Sequence, residues 1–207
     1  MAQSLQNNDL ESIADNLSSK LTLTVNYSAF NLGFCKQIIR AQLSGLITLP
    51  HGLGLDKTTY LSLRKAINDK EIFNQELAWH QHDWKFIRER AAFCGELFAM
   101  KEDERQELIS LLLQYRNKQD PSSQQMAVII ATASLTKYHL WESLGLKERK
   151  DLGKIINHNF PELFALNTDN MRWKRFFYRQ LCEQGGDYIC RAPSCEECKS
   201  YRECFIL

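Results

Sequence analysis

Four of the seven cysteines in this 207-residue chain, Cys190, Cys195, Cys198 and Cys204, fall within its last 18 residues. Their spacing is Cys190-x4-Cys195-x2-Cys198-x5-Cys204, with Pro193 and Ser194 inside the first loop. Four thiolates this close together can wrap one small object. The N-terminus, MAQSLQNNDL, has neither a basic region nor an apolar core, so a cytoplasmic location is expected, where clustered thiols bind metal more readily than they form disulfides. Structural zinc sites usually draw two ligand pairs from elements a dozen or more residues apart, and no such spacer exists here. Cubane iron–sulfur clusters use tightly spaced cysteines, because each iron needs its own thiolate. The spacing alone therefore leaves three readings open: an iron–sulfur or mixed-metal cluster, a zinc knuckle, or a structural or redox thiol group.

The residues just before the cluster add charge of one sign. In MRWKRFFYRQLCE, Arg172, Arg175 and Arg179 recur at i, i+3 and i+7 and share one helical face, while Trp173, Phe176, Phe177 and Leu181 supply apolar surface. A solvated basic face opposite a buried aromatic one explains this pattern. So does a functional reading, in which these guanidiniums, with Arg191 and Arg202, balance an anionic cluster or a bound oxyanion such as molybdate. Cys182 is either a buried small hydrophobe or a spare thiol near the cluster.

The elements that must position these groups read as helices. Leucine occurs 28 times and valine twice, and only 13 residues are Gly or Pro, a composition that favours helix over strand. The expected fold is an all-α compact domain of about seven helices. One stripe, Phe73, Leu77, His80, Trp84, Ile87, Ala91, Cys94 and Phe98, advances by fours and threes and predicts the longest core helix. Other helices are expected over 31–44, 56–69 with Asp56 as N-cap, 103–115, from the Ser122–Ser123 caps to about Tyr138, 147–157 and 169–183. Asn159-Phe160-Pro161 reads as a cap and first helical turn, and Gly185-Gly186 as a terminator. Residues 1–25 are expected to be frayed or poorly ordered, 26–186 to form the helical domain, and 187–207 to form the cluster-binding segment packed on the last helix. A formal net charge of +1 excludes the large positive excess of a generic nucleic-acid or membrane-surface binder, and no apolar run approaches the length of a membrane span.

A longer pattern then emerges. His139-Leu140-Trp141, Leu144-Gly145-Leu146 with Arg149, Asn159-Phe160-Pro161, Asn167, the block from Met171 to Glu183 and the four-cysteine spacing together resemble the NifQ family of nitrogen-fixation proteins. The resemblance covers residues 126–205. It implies a molybdenum-processing protein whose Cys190, Cys195, Cys198 and Cys204 hold an iron–sulfur cluster incorporating molybdenum, of Mo–Fe–S cubane type. Molybdate would be the source, and the implied partners are the nitrogenase iron protein and the cofactor assembly scaffold. The chain departs from the family pattern at Ser143, where an acidic residue is expected, and at Ser134, where a cysteine is expected, so a thiol upstream of His139 is not an essential ligand. Molybdenum prefers a higher coordination number than iron and needs further donors. Water or small ligands come first and His139 second, against a plain capping role for that histidine. His51, His80, His82 and His158 read as structural, and Cys35 and Cys94 as buried small hydrophobes. A metallocluster carrier is thus expected rather than a turnover enzyme. The alternatives are a helical interaction module with a structural zinc knuckle, or a cysteine-based redox protein.

Overall fold

The computed structural model describes residues 26–78 and 85–185, and the cluster cysteines, residues 1–25, His80, His82 and Trp84 lie outside these. Ten helices and no strand occur among the described residues: α1 (Ala29–Leu43), α2 (Lys57–Ile67), α3 (Lys70–Ala78), α4 (Lys85–Ala99), α5 (Glu102–Gln114), α6 (Ser123–Ser134), α7 (Leu140–Ser143), α8 (Arg149–Asn159), α9 (Pro161–Leu166) and α10 (Trp173–Gly185). The short α7 is not among the expected helices, α9 begins at Pro161 as the sequence suggests, and the described parts of the stripe of residues 73–98 fall in α3 and α4. No helix among the described residues is long and apolar enough to cross a membrane.

The centre of the fold is α6. Its sequence SQQMAVIIATAS carries no charge, and its middle and end are apolar or small all round, which is the pattern of a helix enclosed by others. Met126, Ala127, Ile129, Ile130, Ala131 and Ala133 are fully buried. Two of its three buried hydroxyls are satisfied within the helix: Thr132 Oγ1 donates to Val128 O and Ser134 Oγ to Ile130 O, each at 2.8 Å. Around α6 pack α5, α7 and α8, while α9 lies on α8, α10 lies on α5, and α2 and α3 lie on α1. Cys35 of α1 reaches this core and places its Sγ 3.6 Å from Met126 Sδ, where burial pushes the thiol up to about 12.

Several local expectations need correction. Phe73 is 57% exposed whereas its neighbour Ile72 is fully buried, so the first residue of the 73–98 stripe faces solvent, while Phe98 at its end packs against the core. Cys94 is partly exposed rather than buried. Ser122 is not a side-chain cap; its backbone is already helical and its hydroxyl is used elsewhere, as is that of Ser123. α6 ends at Ser134, not Tyr138, because Thr136 Oγ1 folds back on Ala133 O and Lys174 of α10 takes the carbonyls of Thr136 and Tyr138. Asn159 is the last residue of α8, and Phe160 takes the cap position before Pro161. By contrast, Asp56 caps α2 as expected, accepting from Thr59 N at 3.0 Å.

Two turns demand glycine. Gly145 follows α7 with φ +62°, and an added Cβ would lie 2.4 Å from Ala41 Cβ of α1. Gly54 has φ +84°, and its Cβ would meet Thr132 Oγ1 at 2.1 Å, so this loop lies directly against the central helix.

Candidate metal centre

Helix α10 is built as its sequence suggests, aromatic face in and basic face out. Trp173, Phe176, Phe177 and Tyr178 are buried, with ring centroids 5.9 Å apart for Trp173–Phe176 and Trp173–Phe177. Arg172 O accepts from Phe176 N, so Arg172 continues the helical spiral one residue before α10. Arg172 and Arg179 are exposed and Arg175 is half-buried. Arg179 is not a lone cation: its Nε lies 2.8 Å from Glu183 Oε1, an exposed i,i+4 pair, and a second nitrogen meets Met171 Sδ at 3.5 Å.

The loop ahead of α10 is pinned by two residues of the longer pattern. Asn167 accepts from Met171 N at 2.8 Å and donates to Met171 O at 3.0 Å, replacing backbone partners that the turn lacks. Arg149 donates to the carbonyls of Asn170 and Met171. Lys174, unremarked in the sequence, donates to Thr136 O at 2.6 Å and to Tyr138 O. Burial and then Lys101 push its ammonium down to about 7, against the opposing pull of Glu142. His139 is exposed at the N-terminus of α7, where its N–H donates to Glu142 Oε2 at 3.1 Å. Ser134 and Ser143 are buried, and Ser143 Oγ lies 2.5 Å from Thr136 Oγ1 and 3.0 Å from His139 O.

Two contacts fix the direction of α10 on α5. Tyr178 Oη donates to Glu104 Oε1 near the start of α5 at 2.5 Å, and Gln184 Nε2 donates to Gln114 Oε1 at its end at 3.3 Å. The two helices therefore run the same way. The chain leaves α10 for Cys190, Cys195, Cys198 and Cys204 at the end of the bundle where α5 gives way to the loop into α6. Those four thiols lie outside the described residues, and among the described residues no group of three or more His, Cys, Asp and Glu side chains could hold a metal.

That same end of the bundle carries a polar network that sequence reasoning missed. Asn31, Asp120, Ser122, Ser123 and Asn159 are all buried. Asn31 Nδ2 lies 2.7 Å from Asn159 Oδ1, 2.9 Å from Ser122 Oγ and 3.1 Å from Asp120 Oδ2, and Asn159 Nδ2 donates back to Asn31 Oδ1 at 2.9 Å. Ser123 Oγ donates to Asn159 Oδ1, and Ser122 donates to Asp120 Oδ1 through both its N–H and its hydroxyl. Burial pushes the Asp120 carboxyl upward, but hydrogen bonds from Ser122, Ser28 and His158 outweigh it and hold the group below the usual carboxylate range. His158 Nε2 sits 2.7 Å from Asp120 Oδ2, and its ring stacks on Phe30 at 4.2 Å. In the sequence, Asp120-Pro121-Ser122-Ser123 carries only the signal of a loop.

The comparisons with known proteins agree with the pattern carried by α10. The NifQ family's sequence model matches residues 34–206, well beyond the 126–205 in which the resemblance is legible. Protein NifQ of Azotobacter vinelandii is 42% identical over 187 residues, covering 89% of this chain and 92% of that protein. Protein NifQ of Klebsiella pneumoniae is 38% identical over 163 residues, covering 78% and 90%. The NifQ homolog of Sinorhizobium fredii is 47% identical over 98 residues, 47% of this chain and 43% of its own length. No solved structure matches. With the family model covering residues 34–206, from the first helix into the cysteine segment, this chain belongs to the NifQ family.

Proposed function

We propose that this protein is a carrier that receives molybdenum, holds it in an iron–sulfur setting on Cys190, Cys195, Cys198 and Cys204, and donates it to the assembly of the nitrogenase iron–molybdenum cofactor. The observation that supports it most is the juxtaposition of four closely spaced thiols with a helix whose buried aromatic face anchors an exposed basic one. The donor chemistry fits the cargo. Thiolates are soft ligands for iron and reduced molybdenum, whereas molybdate is a hard oxyanion that guanidiniums recognise by charge and paired hydrogen bonds.

The chain's own residues divide this work. Trp173, Phe176 and Phe177 fix α10 to the core, and Arg172, Arg175 and Arg179 present charge along its outer side. Arg149 and Asn167 hold the turn that starts the helix. α10 ends beside the end of α5, and the cysteines follow it in the sequence. The implied recipients are the nitrogenase iron protein and the cofactor assembly scaffold.

Anaerobic purification with analysis of iron, sulfide and molybdenum tests this reading. Iron and acid-labile sulfide in the wild type, lost in Cys195→Ala, are the expected result. A protein carrying zinc without iron or sulfide would overturn it in favour of a structural knuckle. X-ray absorption at the molybdenum edge of the loaded protein should show sulfur and iron neighbours.

A further inference from the structure

Helix α4 stands apart from the packing around α6. Among the described residues it packs closely on none of the other helices, and it is held to the core through Phe98. Its described exposed residues are Glu89, Ala92, Phe93, Glu96, Ala99 and Met100. At about 100° per residue these six fall within roughly 120° of arc, and Phe98 lies about 140° round the helix from Phe93. Phe93 is 60% exposed and Met100 82% exposed. Isolated exposed apolar side chains are ordinary, but these two stand seven positions apart on one face, with Ala92 and Ala99 beside them. The whole face repeats with that step: Glu89-x2-Ala92-Phe93 is followed by Glu96-x2-Ala99-Met100. A heptad of acidic, small and large residues is the pattern of a helix that pairs with another helix.

The charge on the face selects the partner. Its described charges are both negative, Glu89 and Glu96, and they run between the alanines on one side and Phe93 and Met100 on the other. Two copies of α4 fit badly. Packed antiparallel so that Phe93 and Met100 meet the facing Ala99 and Ala92, or packed parallel in register, they set Glu96 against Glu96, which opposes association. We propose that this face is a docking site for a basic amphipathic helix of a partner protein, whose apolar side chains cover Ala92 and Ala99 and whose Lys or Arg side chains meet Glu89 and Glu96. From Glu89 to Met100 the face is about 17 Å long. One helix laid along it covers less than the roughly 800 Å² per partner of a standard interface, so the engagement is transient. Charge steers it, and salt weakens it. The inference does not depend on the carrier reading.

The test uses the full chain and three synthetic peptides. One carries leucine at heptad a and d positions and lysine elsewhere, the second replaces lysine with glutamate, and the third scrambles the leucine–lysine peptide so that no periodicity remains. Fluorescence anisotropy of the labelled peptides measures binding. The periodic lysine peptide should bind most tightly. Glu96→Lys should weaken it by roughly tenfold or more and make the glutamate peptide the better ligand, and Phe93→Ser with Met100→Ser should weaken both by a similar factor. Leu61→Ser, which changes a side chain 56% exposed on α2, should leave binding unchanged. Cooperative thermal unfolding should be retained throughout. No binding of the periodic lysine peptide, equal binding of the scramble, or an affinity unchanged in Glu96→Lys or in the Phe93–Met100 double variant overturns the proposal. A photo-crosslinker at Ala92, used in cells, should join a different protein through a segment that peptide mapping shows to be Lys- and Arg-rich with heptad apolar spacing. Adducts confined to this chain, within one copy or between two, overturn it as well. Neither measurement reads metal, so its failure and that of the carrier reading are separate results.

Discussion

Replacing Asn159 with alanine removes a side chain that is fully buried and makes four hydrogen bonds, yet the damage is not four bonds' worth. Asn31 Nδ2 has two hydrogens and three acceptors around it, so it keeps Ser122 Oγ and Asp120 Oδ2 when Asn159 Oδ1 is gone. Asn31 Oδ1 loses the donor Asn159 Nδ2, and Ser123 Oγ loses its acceptor. Each buried group left unsatisfied costs about 1–3 kcal/mol, so the pair costs roughly 2–6 kcal/mol, a large share of a typical domain's stability of about 5–15 kcal/mol. At roughly 2–4 °C per kcal/mol for a chain of this size, Tm should fall on the order of 10 °C. Circular dichroism thermal melts and urea titrations measure this, with the urea m-value unchanged if only the native state is affected. Asn159→Asp is the informative companion. It keeps an acceptor for Asn31 and Ser123 but removes the donor and sets a second carboxylate beside Asp120. It should be at least as destabilising at neutral pH and recover in part as pH falls into the carboxylate range. A Tm loss below about 2 °C in Asn159→Ala at constant m-value would refute the accounting of orphaned groups.

Arg172→Gln, Arg175→Gln and Arg179→Gln combined should lower molybdenum loading while most iron is retained, and unchanged molybdenum by elemental analysis rejects a role for the basic face. Lys174 binds fewer protons folded than unfolded between pH 7 and its ordinary value of 10.5, so its cost to stability is full below about 7 and is relieved as pH rises. The stability of wild type relative to Lys174→Met should therefore increase from neutral to alkaline pH, and a flat difference in urea titrations contradicts this. Gly145→Ala forces an L-residue into the left-handed region and a Cβ against Ala41, which together should cost about 2–4 kcal/mol in the same assay. Wild-type stability in that variant would mean the α7–α8 turn rebuilds without cost.

Legibility in the sequence followed the range of the interactions. Leucine-rich periodicity, the Asp56 cap, Pro161 at a helix start and the aromatic face of α10 are all set by neighbours within a few positions, and the structure has them there. The network is the opposite case. Asn31 and Asn159 are 128 positions apart, and nothing local marks either as the partner of the other. Their side chains read as a helix residue and a cap, and the serines at 122 and 123 as caps, because those are the uses short polar side chains find when only their own turn is considered. Phe73 misled for a related reason: spacing assigns a face, but Ile72 beside it is the residue that α3 buries. The half of the family match before residue 126 was invisible because core positions accept many apolar residues, whereas the motifs after it rest on distinctive ones.

The aromatic anchor of α10 is confined to its first half. Trp173, Phe176, Phe177 and Tyr178 are buried, Leu181 and Cys182 are half-buried, and Glu183 to Gly185 are exposed, with the exposed Gln184–Gln114 contact tying the final turn to α5. The helix is thus a stiff rod clamped at one end and lightly tied at the other. Its final turn can unwind at a small fraction of the free energy of global unfolding, lengthening the leash of the cysteine segment without disturbing the packed body.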